Sequence, residues 1–208
     1  MKKNILSLIF IILQTLVFGQ KKELKKINCD SIFTQKGYSV SLEYDPEDKS
    51  WDETKPNIIF TFSKQITGKE KIIHREKLFS QFKNVEFIDF NGDGIKDILV
   101  ENISDVRSNL TYNLFLVDLK NQKLRKIDGF SGIKNPNYLK KYDLIDCTVM
   151  SGRNWTSFYK IEGNKVKDFG YVIEDGEDEH GKDLEYDKNY DLTLAKILKS
   201  EKPRKWTL

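Results

Sequence analysis

From Tyr38 onward, apolar residues recur at every second position. Tyr38, Val40, Leu42 and Tyr44 alternate with Ser39, Ser41 and Glu43. Successive side chains of an extended chain point to opposite faces, so this period of two describes a strand with one buried face. Further strand patterns follow at 58–62, 85–90, 98–100, 112–117, 124–127, 142–150, 156–161 and 166–173. Turn-forming residues separate them: Thr67-Gly68, Lys120-Asn121-Gln122, Ser151-Gly152-Arg153-Asn154 and Glu162-Gly163-Asn164. Glycine and asparagine reach the left-handed backbone that tight hairpins need. No long helical pattern alternates with the strands, which excludes a doubly wound fold. The expected class is all-β: an antiparallel meander of hairpins, either propeller-like or built from small twisted sheets. Residues 76–82 and 192–199 suit a helix or a strand. Leu192, Leu194, Ala195, Ile197 and Leu198 follow a capping Asp191, so helical turns are expected at the ends only.

The N-terminus reads as an export signal. Lys2 and Lys3 precede an apolar run over 5–18 that only Ser7, Gln14 and Thr15 interrupt, and Val17-Phe18-Gly19 offers a cleavage site. The run is shorter than the roughly 20 residues that span a bilayer. The expectation is a signal peptide at 1–19, no membrane span after its removal, and a periplasmic or secreted product. Residues 20–36, with Lys21, Lys22, Lys25 and Lys26, read as a charged leader before a single β domain at 37–208. The formal charge of +3 falls further when Lys2 and Lys3 leave, so nothing favours nucleic acid as a partner. Aromatic residues make up 12% of the chain, enough for a packed core despite 32% charged residues. Cys29 and Cys147 are the only cysteines. In an oxidising compartment they are expected to form one disulfide; the alternative is two buried thiols.

The segment Asp89-Phe90-Asn91-Gly92-Asp93-Gly94-Ile95-Lys96-Asp97 carries oxygen-bearing side chains at alternate positions, then a glycine where the chain must turn. Such spacing wraps a hard cation in oxygens, with the Ile95 carbonyl joining Asp89, Asn91, Asp93 and Asp97. Val100 stands where an EF-hand loop has glutamate, and the flanking patterns are strands, so the loop belongs to a β-hairpin at 85–100. The alternative is a pair of turn dipeptides whose carboxylates face water. Residues 87–100, FIDFNGDGIKDILV, resemble the calcium loops of FG-GAP and VCBS-type repeats. The resemblance implies calcium as cofactor, held by those five residues.

A longer likeness spans 85–173. The calcium hairpin is followed by Ser151-Gly152-Arg153-Asn154-Trp155 and by the turn Glu162-Gly163-Asn164. This order is similar to periplasmic propeller-like proteins that inhibit lysozyme-type glycoside hydrolases and act as immunity proteins. Those inhibitors insert a Ser-Gly-x-x-Tyr loop into the hydrolase cleft; here Trp155 replaces the tyrosine, and the phenolic hydroxyl is missing. The resemblance implies Ser151, Gly152, Arg153 and Trp155 as the partner-binding loop and a lysozyme-like hydrolase as the partner. An exposed Trp155 fits that role, and a buried one fits an ordinary turn. Catalytic patterns are sparse: His74 and His180 stand outside any zinc motif, and neither a nucleophile elbow nor a phosphate loop occurs. The expectation is a non-enzymatic binding protein. The alternatives are an FG-GAP-like surface interaction module and a glycan hydrolase using two carboxylates.

Overall fold

The computed structural model describes residues 22–177 and 179–201, so the expected signal peptide lies outside the described residues. The strands form three antiparallel sheets. The first contains β1 (Glu23–Asn28), β2 (Tyr38–Tyr44), β3 (Ile58–Ile66) and β4 (Lys69–Leu78). The second contains β5 (Val85–Ile88), β6 (Asp97–Ser104), β7 (Leu110–Asp118) and β8 (Lys123–Lys126). The third contains β9 (Pro136–Leu139), β10 (Leu144–Val149), β11 (Trp155–Glu162) and β12 (Lys165–Asp168), with the short β13 (Ile173–Glu174) also pairing β11. A helix, α1 (Tyr186–Glu201), follows. The all-β expectation of hairpins in small twisted sheets holds.

The layers stack as first sheet, second sheet, third sheet, helix. The second sheet is buried on both faces, and the period of two decides which side chain serves which neighbour. Ile98, Val100, Phe115 and Val117 join Val40, Leu42, Phe60 and Phe62 in one core. Leu99, Leu114 and Leu116 join Ile145, Cys147 and Val149 in the other. Double burial explains the unbroken apolar runs ILV in β6 and LFLV in β7, since neither face needs polar residues. The far face of the third sheet, with Leu144, Phe158 and Ile173, is covered by Leu194 and Ile197 of α1.

The sheets also stack strand over strand. Lys25 of β1 reaches the Lys83 carbonyl just before β5 at 3.0 Å. Lys140, just after β9, lies 3.7 Å from Asp89, just after β5. On the other side, Lys126 of β8 pairs with Glu76 of β4. Arg125 of β8 donates to the Gly163 carbonyl before β12 at 2.6 Å. The β5–β6, β7–β8, β9–β10 and β11–β12 turns therefore share one end of the stack. The β6–β7 and β10–β11 turns share the opposite end.

Three expectations are corrected. The charged leader is not separate from the domain: β1 is an edge strand paired with β2 from Glu23↔Tyr44 to Asn28↔Ser39. Lys22 and Lys26 pair with Glu43 and Glu70 on the open face, while Ile27 packs on the core and Cys29 and Phe33 lie inside it. An edge strand has one neighbour and lysine-rich flanks, so its apolar alternation is weak. The disulfide is absent: Cys29 and Cys147 are both free. They belong to the two cores on opposite sides of the second sheet, which stands between them. Burial raises both thiols, Cys29 to about 11. Finally, the C-terminal element is a 16-residue helix rather than a helical turn, starting well before Asp191. Tyr186, Tyr190, Leu194 and Ile197 repeat at helical spacing and form its packed stripe.

Candidate functional site

The 89–97 loop is a tightly closed turn between β5 and β6. Gly92 and Gly94 take left-handed backbone with φ of 71° and 84°. A Cβ at Gly92 would come within 3.0 Å of the Tyr138 hydroxyl, so a side chain there meets both a strained backbone and a wall. Asp89 accepts the amides of Gly92 at 2.7 Å and Gly94 at 3.1 Å. Asn91 accepts from the Asp93 amide, and Asp93 accepts from the Ile95 amide at 2.7 Å. The Asn91 side-chain amide also donates to Asp93 at 2.9 Å. Asp89, Asn91 and Asp93 are thus gathered by one short stretch of backbone, and each keeps unused lone pairs. This donor chemistry suits a hard cation.

Asp97 behaves differently. Its carboxylate is fully buried and turned inward. One oxygen accepts the Phe90 amide at 2.8 Å and the other accepts the Val117 amide at 3.0 Å. The side chain therefore ties the loop to β7. Burial pushes its pKa up to about 7, the two amide bonds act against that, and the charges of Asp93 and Asp89 add to it. Among the described residues no three His, Cys, Asp or Glu side chains converge as a metal-holding group. The expected five-ligand set is not gathered as a unit: Asp97 stands apart as a buried clamp.

The 151–155 segment lies at the opposite end of the stack, so the two expected sites are separated by the length of the strands. Gly152, Arg153 and Asn154 are exposed, as is Met150. The Ser151 hydroxyl is turned into its own turn and donates to the Arg153 carbonyl. Arg153 pairs with Glu174 at 2.9 Å. Trp155 is half-buried and packs on the core between the second and third sheets. It begins β11 opposite Val149, which lies in that same core, so the two side chains share the inward face of the sheet.

Asn109, which the sequence reading did not place at a site, braces this tip. It is buried, donates to the Met150 carbonyl at 2.9 Å and accepts the Met150 amide at 2.8 Å. It also donates to Asp105, which Lys134 and Asn109 together hold well below the usual carboxylate range. From the other side, the Asp175 amide donates to the Asn154 carbonyl at 2.9 Å. Glu174 and Asp175 therefore flank the tip directly.

Searches of protein-family models, of curated proteins and of solved structures find no match to this chain.

Proposed function

We propose that this protein is an exported, non-enzymatic binding protein that presents its β10–β11 tip to a lysozyme-like glycoside hydrolase. The observation that carries the reading is the bracing of that tip. Asn109 and Asp175 fix its backbone from two sides, while Met150, Gly152 and Arg153 stay open to solvent. A loop held rigid before binding loses little conformational entropy on docking. Arg153 brings a guanidinium suited to the acidic cleft of an enzyme that works with two carboxylates, and it exchanges its Glu174 partner for the cleft. Because Trp155 packs inward, the contact rests on Arg153 and Met150. Inhibition assays against a panel of lysozymes test the proposal. Arg153→Ala should weaken inhibition about tenfold with an unchanged melting temperature. No inhibition of any enzyme in the panel by the wild type refutes it.

The same reading gives the opposite end a stabilising calcium ion on Asp89, Asn91, Asp93 and the Ile95 carbonyl, with Asp97 supporting the loop from beneath. The ion would offset the mutual repulsion of Asp89 and Asp93. Binding to the folded state alone adds about 2.7 kcal/mol at a hundredfold excess over Kd. Calorimetric melting with calcium and with EDTA checks this, and identical curves would refute it.

A further inference from the structure

The β10–β11 tip does not stand alone at its end of the stack. The β6–β7 turn, 105–109, lies against it, and polar side chains join the two. Asp105 closes its own turn by accepting the amides of Arg107 at 2.9 Å and Asn109 at 3.1 Å. Asn109 carries the connection across to the Met150 backbone on the next sheet. Asn135, just before β9, completes the junction. Its side-chain amide donates to the Asn109 side chain and to the Thr148 carbonyl, both at 2.9 Å. Three stretches distant in sequence thus form one braced surface.

One charge on that surface is unused. The Arg107 side chain is exposed and reaches over the tip: a Cβ added to Gly152 would lie 3.9 Å from its Nη1 atom. The nearby acids are engaged elsewhere. Asp105 is bonded by Lys134 at 2.8 Å and by the Asn109 side chain. Glu174 holds Arg153. Asp175 is tied through its backbone to Asn154 on the third-sheet side of the tip, whereas Arg107 comes from the second sheet. Among the described residues Arg107 makes no ion pair. Beside it Val106 is fully exposed, and Met150 across the junction is exposed too. Arginine and methionine are residue types that interfaces favour.

We infer that the β6–β7 turn belongs to the docking surface, with Arg107 facing a carboxylate on the rim of the partner's cleft. The inference rests on the reading of the tip as the hydrolase-binding element. The two arginines then act differently. Arg153 has to leave Glu174 to dock, while Arg107 has no carboxylate to leave and attracts an acid throughout the encounter. Attraction of this kind acts chiefly on the association rate, and salt screens it. Arg107 therefore selects hydrolases whose rim is acidic where the β6–β7 turn meets it.

The test uses the hydrolase that the wild type inhibits most strongly in the lysozyme panel, with binding kinetics followed by surface plasmon resonance at low and at high salt. Arg107→Ala should slow association about tenfold at low salt, and the difference should shrink at high salt. Its melting temperature should be unchanged, because the backbone bond to Asp105 survives the substitution. Arg107→Glu should slow association further, and Arg107→Lys should restore most of the rate. Lys120→Ala removes the same charge from the β7–β8 turn at the opposite end and should bind as the wild type does. Wild-type association in both Arg107→Ala and Arg107→Glu overturns the inference, while a weakening by Arg153→Ala would leave the reading of the tip standing. Equal slowing in Lys120→Ala and Arg107→Ala overturns it too, since net charge would then account for the effect. No inhibition of any enzyme by the wild type refutes the reading of the tip and this inference with it.

Discussion

At the scale of single residues, Asp97 and Asp93 look alike in sequence and are separated by the structure. Asp97→Ala leaves the buried Phe90 and Val117 amides without their acceptor. Its expected cost is about 3 kcal/mol, present with calcium or with EDTA, because unsatisfied buried donors cost roughly 1–3 kcal/mol each. Asp93→Ala, at an exposed position, should instead remove only the calcium-dependent part of the stability. Denaturant melts of both variants under both conditions distinguish the two roles; a calcium-dependent cost for Asp97→Ala would show that it ligates the ion. Trp155 is the second case. Its ring packs against the core rather than lying free at the tip. Trp155→Ala should therefore cost about 2 kcal/mol of stability, less than the roughly 3–5 kcal/mol of a fully buried ring. An unchanged midpoint would put the ring back on the binding surface.

At the scale of elements, the strands that the sequence displays are those whose environment differs sharply between faces or is apolar on both. β2 shows clean alternation because its inner face meets a core and its outer face carries Ser39, Ser41 and Glu43. β1 and β4 lie at the edges of the first sheet and are rich in charge, so their pattern fades. β9 opens with Pro136 amid asparagines and reads as a loop, although a first-position proline leaves the ladder intact. The closed 89–97 turn was legible because the spacing of its oxygen-bearing side chains and glycines is local. The brace on the tip was not, because Asn109 and Met150 are distant in sequence and meet only through the stacking of two sheets. The helix was half legible: Leu194 and Ile197 carry its period, but Tyr186 and Tyr190 extend it through polar sequence. Ile197 is buried against the third sheet, so Ile197→Ala should cost about 3 kcal/mol. A thermal melt checks this, and a cost below about 1 kcal/mol would mean that the helix is not docked.

At the scale of the whole molecule, the strand-over-strand stacking puts the two proposed sites at opposite ends. One end holds the closed 89–97 loop, and the other holds the braced tip. Calcium removal should then lower the melting temperature while leaving hydrolase inhibition by the tip unchanged at temperatures where the protein stays folded. Loss of inhibition in EDTA below the melting transition would show the two ends to be coupled.

The free cysteines give this layering a practical use. Cys29 is sealed where the first and second sheets meet, and Cys147 where the second and third sheets meet. An alkylating reagent can reach each sulfur only when its own interface opens, so each thiol is a clock for one seam. Equal labelling rates would mean that the molecule opens as one cooperative unit. Faster modification of Cys29 would mean that the first sheet peels away while the remaining layers stay closed.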